Sequence, residues 1–139
     1  MTPNALLLSL VFLVACVAER RSFAHPNSDV PLSSAVLVGD TLYVSGHLGR
    51  DSETGLPPSD PAREVELLLD AFAATLQRAE MAMEDLVSVQ VFCSDVSLYS
   101  VFNAAYRERF DGEFPARAFI GSGALLRGCR FEMTGIARR

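Results

Sequence analysis

The stretch Pro115-Ala-Arg-Ala-Phe-Ile-Gly-Ser-Gly-Ala-Leu-Leu-Arg-Gly-Cys-Arg-Phe-Glu-Met-Thr-Gly135 has the pattern of two β-strands joined by a glycine-containing turn. Arg117 opens the first strand, and Glu132 lies in the second, where polar and apolar residues alternate. Successive side chains of a strand point to opposite faces, so the polar set should share one face. A carboxylate in a half-apolar strand is costly unless something pairs or uses it. We therefore expect Arg117 and Glu132 to meet, either as a structural ion pair or in a functional site.

The rest of the chain predicts the element order β-β-α-β-α-β-β. Gly39-Asp40 is a turn-forming pair between two β-prone runs. Asp60 provides an N-cap, and Pro61 is suited to the first position of a helix. Apolar residues then recur at helical spacing up to Ala79. The later elements are a strand over Leu86–Cys93, a helix over about residues 97–110, and the two strands quoted above.

This order predicts a single α+β domain with a mixed sheet and two helices on one face. The other face would carry Leu86, Phe92 and Phe119, which are too apolar to lie in water. Self-association is therefore expected.

Composition excludes several function classes. The formal net charge is −5 with a pI near 4.9, and all 12 basic residues are arginine. The lack of lysine excludes a lysine Schiff base and hence a pyridoxal-phosphate enzyme. An acidic chain without a basic run lacks the electrostatic footprint of a nucleic-acid-binding protein. The two histidines and three cysteines show no metal-ligand spacing, so we expect no metal site and no cofactor.

Residues 1–24 have the pattern of a targeting segment, which leaves 25–139 as the folded domain. An uncharged apolar run over residues 5–15 is too short to span a bilayer comfortably. Cys16 follows a lipoprotein-like sequence and would be the lipidated residue that anchors the protein to a membrane, whereas Ala24 offers a cleavage site. Both readings predict an exported, periplasmic or lipid-anchored protein. The missing positive charge before Ala5 leaves a third reading open, a cytoplasmic protein whose N-terminal segment is not a signal.

Five pieces of the chain, in order and at matching spacing over about a hundred residues, resemble the Rid family of reactive-intermediate deaminases, also called the YjgF or liver perchloric-acid-soluble protein family. They are Gly39-Asp-Thr-Leu-Tyr-Val-Ser-Gly-His47, residues 51–55, Phe102-Asn-Ala-Ala-Tyr106, Phe114-Pro-Ala-Arg117 and Phe131-Glu132. The resemblance implies a chorismate-mutase-like fold and a homotrimer with sites between subunits. It also implies hydrolysis of 2-imino acids, such as 2-iminobutanoate and 2-iminopropanoate, to 2-keto acids and ammonia.

The resemblance also assigns roles to individual residues. Arg117 would bind the substrate carboxylate through its planar fork. Glu132 would orient or deprotonate the attacking water. Backbone groups around Phe119 would hold the imine nitrogen, and Ser45 and Asn103 match positions that line or support the site.

Two departures from the family pattern bear on specificity. Leu32 stands where many Rid deaminases have a pocket tyrosine, and Phe119 stands where cysteine is common. Both changes make the expected pocket more apolar, which favours a bulkier substrate or weaker activity. Two other functions stay open: a non-catalytic module that binds small carboxylates through Arg117, and an endoribonuclease or translation inhibitor.

Overall fold

The computed structural model describes residues 18–27 and 29–139, which form one six-stranded mixed sheet and two α-helices. The elements in chain order are β1 (Arg20–Ala24), β2 (Ser33–Val38), β3 (Thr41–Leu48), α1 (Pro61–Arg78), β4 (Leu86–Cys93), α2 (Tyr99–Arg107), β5 (Ala116–Gly121) and β6 (Phe131–Arg138).

The strand order across the sheet is β1-β2-β3-β6-β4-β5. The β4–β5 pair is parallel and every other pair is antiparallel. Strand β6, the last in sequence, therefore lies between β3 and β4, and β5 forms one edge. This arrangement confirms the predicted α+β class, the single domain and the mixed sheet.

Both helices pack on the same face of the sheet. Phe72 of α1 lies against Gly135, and Phe102 of α2 packs on Phe131 with ring centroids 5.5 Å apart. Helix α1 begins where the sequence predicts, because the Asp60 side chain accepts a hydrogen bond from the Ala62 backbone N–H at 3.0 Å. Buried leucine, valine and phenylalanine side chains fill the space between the helices and the sheet. The other face, which we call the open face, has no layer over it among the described residues.

The predicted composition of the open face is partly wrong. A bulge between Leu86 and Ser88 shifts the alternation of β4, so Leu86 is buried in the core and Val87 is exposed. Phe119 also packs against the core. Of the three residues expected on the open face, only Phe92 lies there. Register adds Tyr43, Ile120 and Ile136 to it, beside polar residues that include Ser88, Gln90 and Thr134, so the face is mixed rather than uniformly apolar.

The fold begins earlier than the sequence reading places it. Residues 20–24, assigned to the targeting segment, form edge strand β1 paired with β2, and Phe23 is buried. Arg21 and Arg78 lie over its ring at 4.8 and 5.8 Å. Cys16 and the apolar run lie outside the described residues, so the targeting segment stays a prediction. No helix within residues 18–27 and 29–139 is long and apolar enough to cross a membrane.

Candidate functional site

A cleft of about 340 Å³ lies between α2 and the edge strand β5. Arg117 projects into it from β5, on the helix-covered side of the sheet. Three aromatic rings, a proline, an asparagine and a second arginine form the rest of its lining: Tyr99, Tyr106, Phe114, Pro115, Asn103 and Arg107. Its size falls within the usual range of small-molecule sites.

The Arg117 guanidinium is held in one orientation. Its Nη2 donates a hydrogen bond to Asn103 Oδ1 at 2.6 Å. Its central carbon lies 4.7 Å from the Tyr106 ring centroid, 5.7 Å from that of Phe102 and 5.9 Å from that of Tyr99. The aromatic faces stabilise the cation, and the side chain loses little further freedom when it binds a ligand. The structure thus brings Asn103, one of the expected site residues, into contact with Arg117.

The two tyrosines of the cleft have shifted pKa values. Burial raises the pKa of Tyr106 to about 12, against the opposing effect of the Arg117 charge. Tyr106 therefore stays a neutral phenol at physiological pH, and its hydroxyl is buried without a hydrogen-bond partner among the described residues. The hydrogen bond with Asn103, followed by the charge of Arg117, lowers the pKa of Tyr99. Tyr99 is about half exposed, so its hydroxyl is accessible to a ligand.

Phe119 lies beside this cleft but points into the core. Its ring packs edge-on against Tyr99 at 5.0 Å and against Phe102 at 5.6 Å. The ring therefore supports the aromatic wall that surrounds Arg117.

Glu132 and Arg117 do not meet within one chain, contrary to the expectation from the alternating pattern. Arg117 is paired in register with Val89, and Glu132 is paired with Phe92. Because Val89 and Phe92 are three residues apart on β4, the two functional side chains point to opposite faces of the sheet. Strand β4 also separates their strands.

Glu132 lies on the open face, beneath a bulge in β3. The register of β3 against β6 shifts between Val44 and His47, which places Gly46 beside the carboxylate. A Cβ at residue 46 would collide with Glu132 Oε1. The missing side chain of Gly46 is therefore what lets the carboxylate approach the β3 backbone.

Ser45 and Leu32 belong to the same distant part of the sheet. Ser45 Oγ donates a hydrogen bond to the Ser33 carbonyl at 2.6 Å, which links it to the residue after Leu32. Leu32 is 47% exposed. Strands β6 and β4 lie between this region and β5. The predicted site residues thus fall into two groups within one chain, which we call half-sites: Arg117, Asn103 and Phe119 at β5 and α2, and Leu32, Ser45 and Glu132 on the other side of β4.

Sequence reading missed the roles of Tyr99, Tyr106 and Arg107 in the cleft. Tyr99, Asn103 and Arg107 follow each other at four-residue spacing, so they form one stripe along α2. That spacing was visible in the sequence once Asn103 was singled out. The partner strand β5 was not, because its position beside α2 depends on the parallel crossover from β4.

The fold agrees with the comparisons to known proteins. The family described as Endoribonuclease L-PSP matches residues 23–139. The bovine 2-iminobutanoate/2-iminopropanoate deaminase is 37% identical over 108 residues, which cover 77% of this chain and 79% of that protein. RidA from an Antarctic Psychrobacter superposes with a TM-score of 0.76 at 30% identity, covering 82% of this chain and 93% of that one.

A third relative, TdcF from E. coli, was solved with bound serine. It superposes with a TM-score of 0.76 at 25% identity and covers 82% of this chain and 92% of that one. Together these matches place the chain in a class of small single-domain α+β proteins. The chain belongs to the Endoribonuclease L-PSP family, which is the Rid or YjgF family.

Proposed function

We propose that this protein hydrolyses 2-imino acids to 2-keto acids and ammonia. The proposal depends on the position of Arg117 in the cleft. Its guanidinium lies among aromatic rings and makes a single side-chain hydrogen bond among the described residues, to Asn103. The guanidinium has five N–H donors, so several stay available for a bidentate contact with a carboxylate. The names of its relatives, 33–37% identical in the bovine and human proteins, support the same reaction.

The reaction needs few catalytic groups because the carbon of a protonated imine is already electrophilic. Water adds to that carbon, and the electron pair of the C=N bond moves to nitrogen. The resulting carbinolamine then expels ammonia as its C–O bond becomes a carbonyl. Glu132 would accept the proton of the attacking water, and Arg117 would hold the carboxylate so that the imine carbon faces it.

The two half-sites meet only if a second copy of the chain contributes one of them. The open face of one subunit must lie against the β5 edge of the next subunit, because Arg117 lies near the start of β5. A homotrimer with a site at each subunit boundary satisfies this requirement. Apolar side chains on the open face support such an assembly, since a single chain leaves Tyr43 51% exposed and Ile120 36% exposed.

The proposal predicts that Arg117→Lys and Arg117→Ala both lose imine hydrolysis. A lysine keeps the charge but cannot make the bidentate contact or stack on the rings. We would supply 2-iminobutanoate from threonine with a threonine dehydratase and measure the rate of 2-ketobutanoate formation above the uncatalysed rate. The expected loss is about 100-fold or more, because truncating a desolvated charge contact commonly costs about 3 kcal/mol.

Arg109→Lys is the matched control, since Arg109 pairs with Asp70 at 2.7 Å outside the cleft lining. It should keep parental activity. Normal turnover by Arg117→Lys would rule out the bidentate role. If the parent protein binds a 2-keto acid but gives no rate above the background, the chain is a small-carboxylate-binding module instead.

A further inference from the structure

Building on the proposed function, we propose that the preferred substrate is a 2-imino dicarboxylic acid, with Arg117 on the carboxylate next to the imine and Arg107 on the distal carboxylate. Arg107 would then be the residue that determines specificity.

Arg107 and Arg117 are the charged side chains that line the cleft, and like six other arginines of the described residues they have no acidic partner there. Four others have acidic partners within 4 Å: Arg63 with Glu66, Arg109 with Asp70, Arg130 with Glu64 and Arg139 with Glu80. Neither Arg107 nor Arg117 has one within residues 18–27 and 29–139, and no acidic side chain lines the cleft that they share. Two unpaired cations in one cleft of a chain with net charge −5 favour an anionic ligand with two acidic groups.

The geometry of α2 sets the spacing of the two cations. Asn103 binds Arg117, and Arg107 lies one helical turn further along the same stripe. One turn rises about 5.4 Å. The two carboxylate carbons of a four- or five-carbon diacid lie about 4–5 Å apart across three or four C–C bonds. A ligand of that length can therefore place one carboxylate at Arg117 and the other near Arg107.

The rest of the lining also suits such a ligand. A cleft of about 340 Å³ has room beyond a three- or four-carbon imino acid. The rings of Tyr99 and Phe114, together with Pro115, displace water from its walls, which strengthens charge contacts inside it. Tyr99, at the other end of the stripe from Arg107, adds a hydroxyl.

Arg107 also lies in the last turn of α2, where a cation stabilises the helix without any ligand. The experiment must separate the two roles. We would generate the imines of aspartate and glutamate with a flavin amino-acid oxidase and compare their hydrolysis with that of 2-iminobutanoate. The proteins are the parent, Arg107→Gln, Arg107→Lys and the control Arg109→Gln, each also followed by thermal unfolding.

The parent should have a higher kcat/KM for a 2-imino dicarboxylate than for 2-iminobutanoate. Arg107→Gln should lower the ratio of these two values about tenfold, mainly through KM for the diacid, and Arg107→Lys should restore most of it. Arg109→Gln should leave the ratio unchanged.

Two results would overturn the inference while the proposed function stands: no preference of the parent for the diacid, or a change in unfolding temperature with an unchanged ratio in Arg107→Gln. A parent that hydrolyses neither class of imine would overturn the proposed function and this inference together.

Discussion

Gly46 is the residue that gives Glu132 its position. It faces the carboxylate from the bulge of β3, and its φ is not among the positive values found at Gly39, Gly55 and Gly128. An alanine there would cause no backbone strain, but its methyl group would displace the carboxylate end of Glu132.

We therefore predict that Gly46→Ala folds with little change in stability but loses about 100-fold in imine hydrolysis, because a general base must lie within hydrogen-bond reach of its water. Gly123→Ala is the control, since a Cβ there contacts nothing within 4 Å. Urea unfolding and the coupled dehydratase assay on both variants measure the two effects. Parental activity in Gly46→Ala would mean that Glu132 does not act at the reactive centre.

For single residues, the resemblance indicated which side chains to consider but not where the fold would place them. Arg117 and Asn103 could be chosen from the resemblance, and the structure brings them into contact. The meeting of Arg117 with Glu132 could not be judged, because their faces depend on which residues of β4 they pair with. Strand pairing between distant segments leaves no local signal in either strand.

Among the elements, α1 and β6 are joined by a buried carboxylate. Glu64 of α1 is fully buried and accepts hydrogen bonds from the backbone N–H groups of Arg130 and Phe131 and from Arg130 Nε. Arg130 also donates to the carbonyls of Pro58 and Ser59. One ion pair thus fixes the start of β6, two residues before Glu132, and the loop that leads into α1.

We predict that Glu64→Gln lowers the free energy of unfolding by about 3 kcal/mol, because it leaves a partly buried guanidinium without its counter-charge. Glu66→Gln makes the same change in the same helix at an ion pair whose side chains are 48–53% exposed. It should cost less than about 1 kcal/mol. Urea denaturation, fitted with one m-value for all proteins, measures the free energy of unfolding of both variants. Equal losses in the two variants would contradict the special role of the Glu64 pair.

Helix α1 could be predicted because its signals are local: the aspartate cap, the proline after it and the apolar stripe. The bulges in β3 and β4 could not, since a bulge is an irregularity of pairing and leaves the sequence pattern looking regular. Strand β1 was missed for another reason. Its residues follow an apolar run that is typical of targeting segments, so the prediction included both the run and the strand in the targeting segment.

For the whole molecule, the exposed face of the sheet and the separation of the two half-sites both support the proposed association of subunits. Tyr43 and Ile136 pair across β3 and β6 on the open face, beside a second cleft of about 270 Å³. Neither residue belongs to the lining of the Arg117 cleft. A change at Tyr43 should therefore affect catalysis mainly through association of subunits, provided that the fold is kept.

We predict that Tyr43→Glu dissociates the proposed homotrimer into monomers and loses imine hydrolysis at the same time. Burying a carboxylate at the subunit boundary costs desolvation, which opposes association. Because Tyr43 is half exposed in the single chain, the monomer should stay folded. Light scattering, circular dichroism and the coupled assay measure the three properties on one sample.

The control is Ala74→Glu, which adds the same charge at an exposed position of α1, on the far side of the helix layer from the open face. It should leave both mass and activity as in the parent. A parent protein that is monomeric, or a monomeric Tyr43→Glu with full activity, would show that one chain suffices. In that case Arg117 would have to act without Glu132, because β4 and the two faces of the sheet keep them apart within a single subunit.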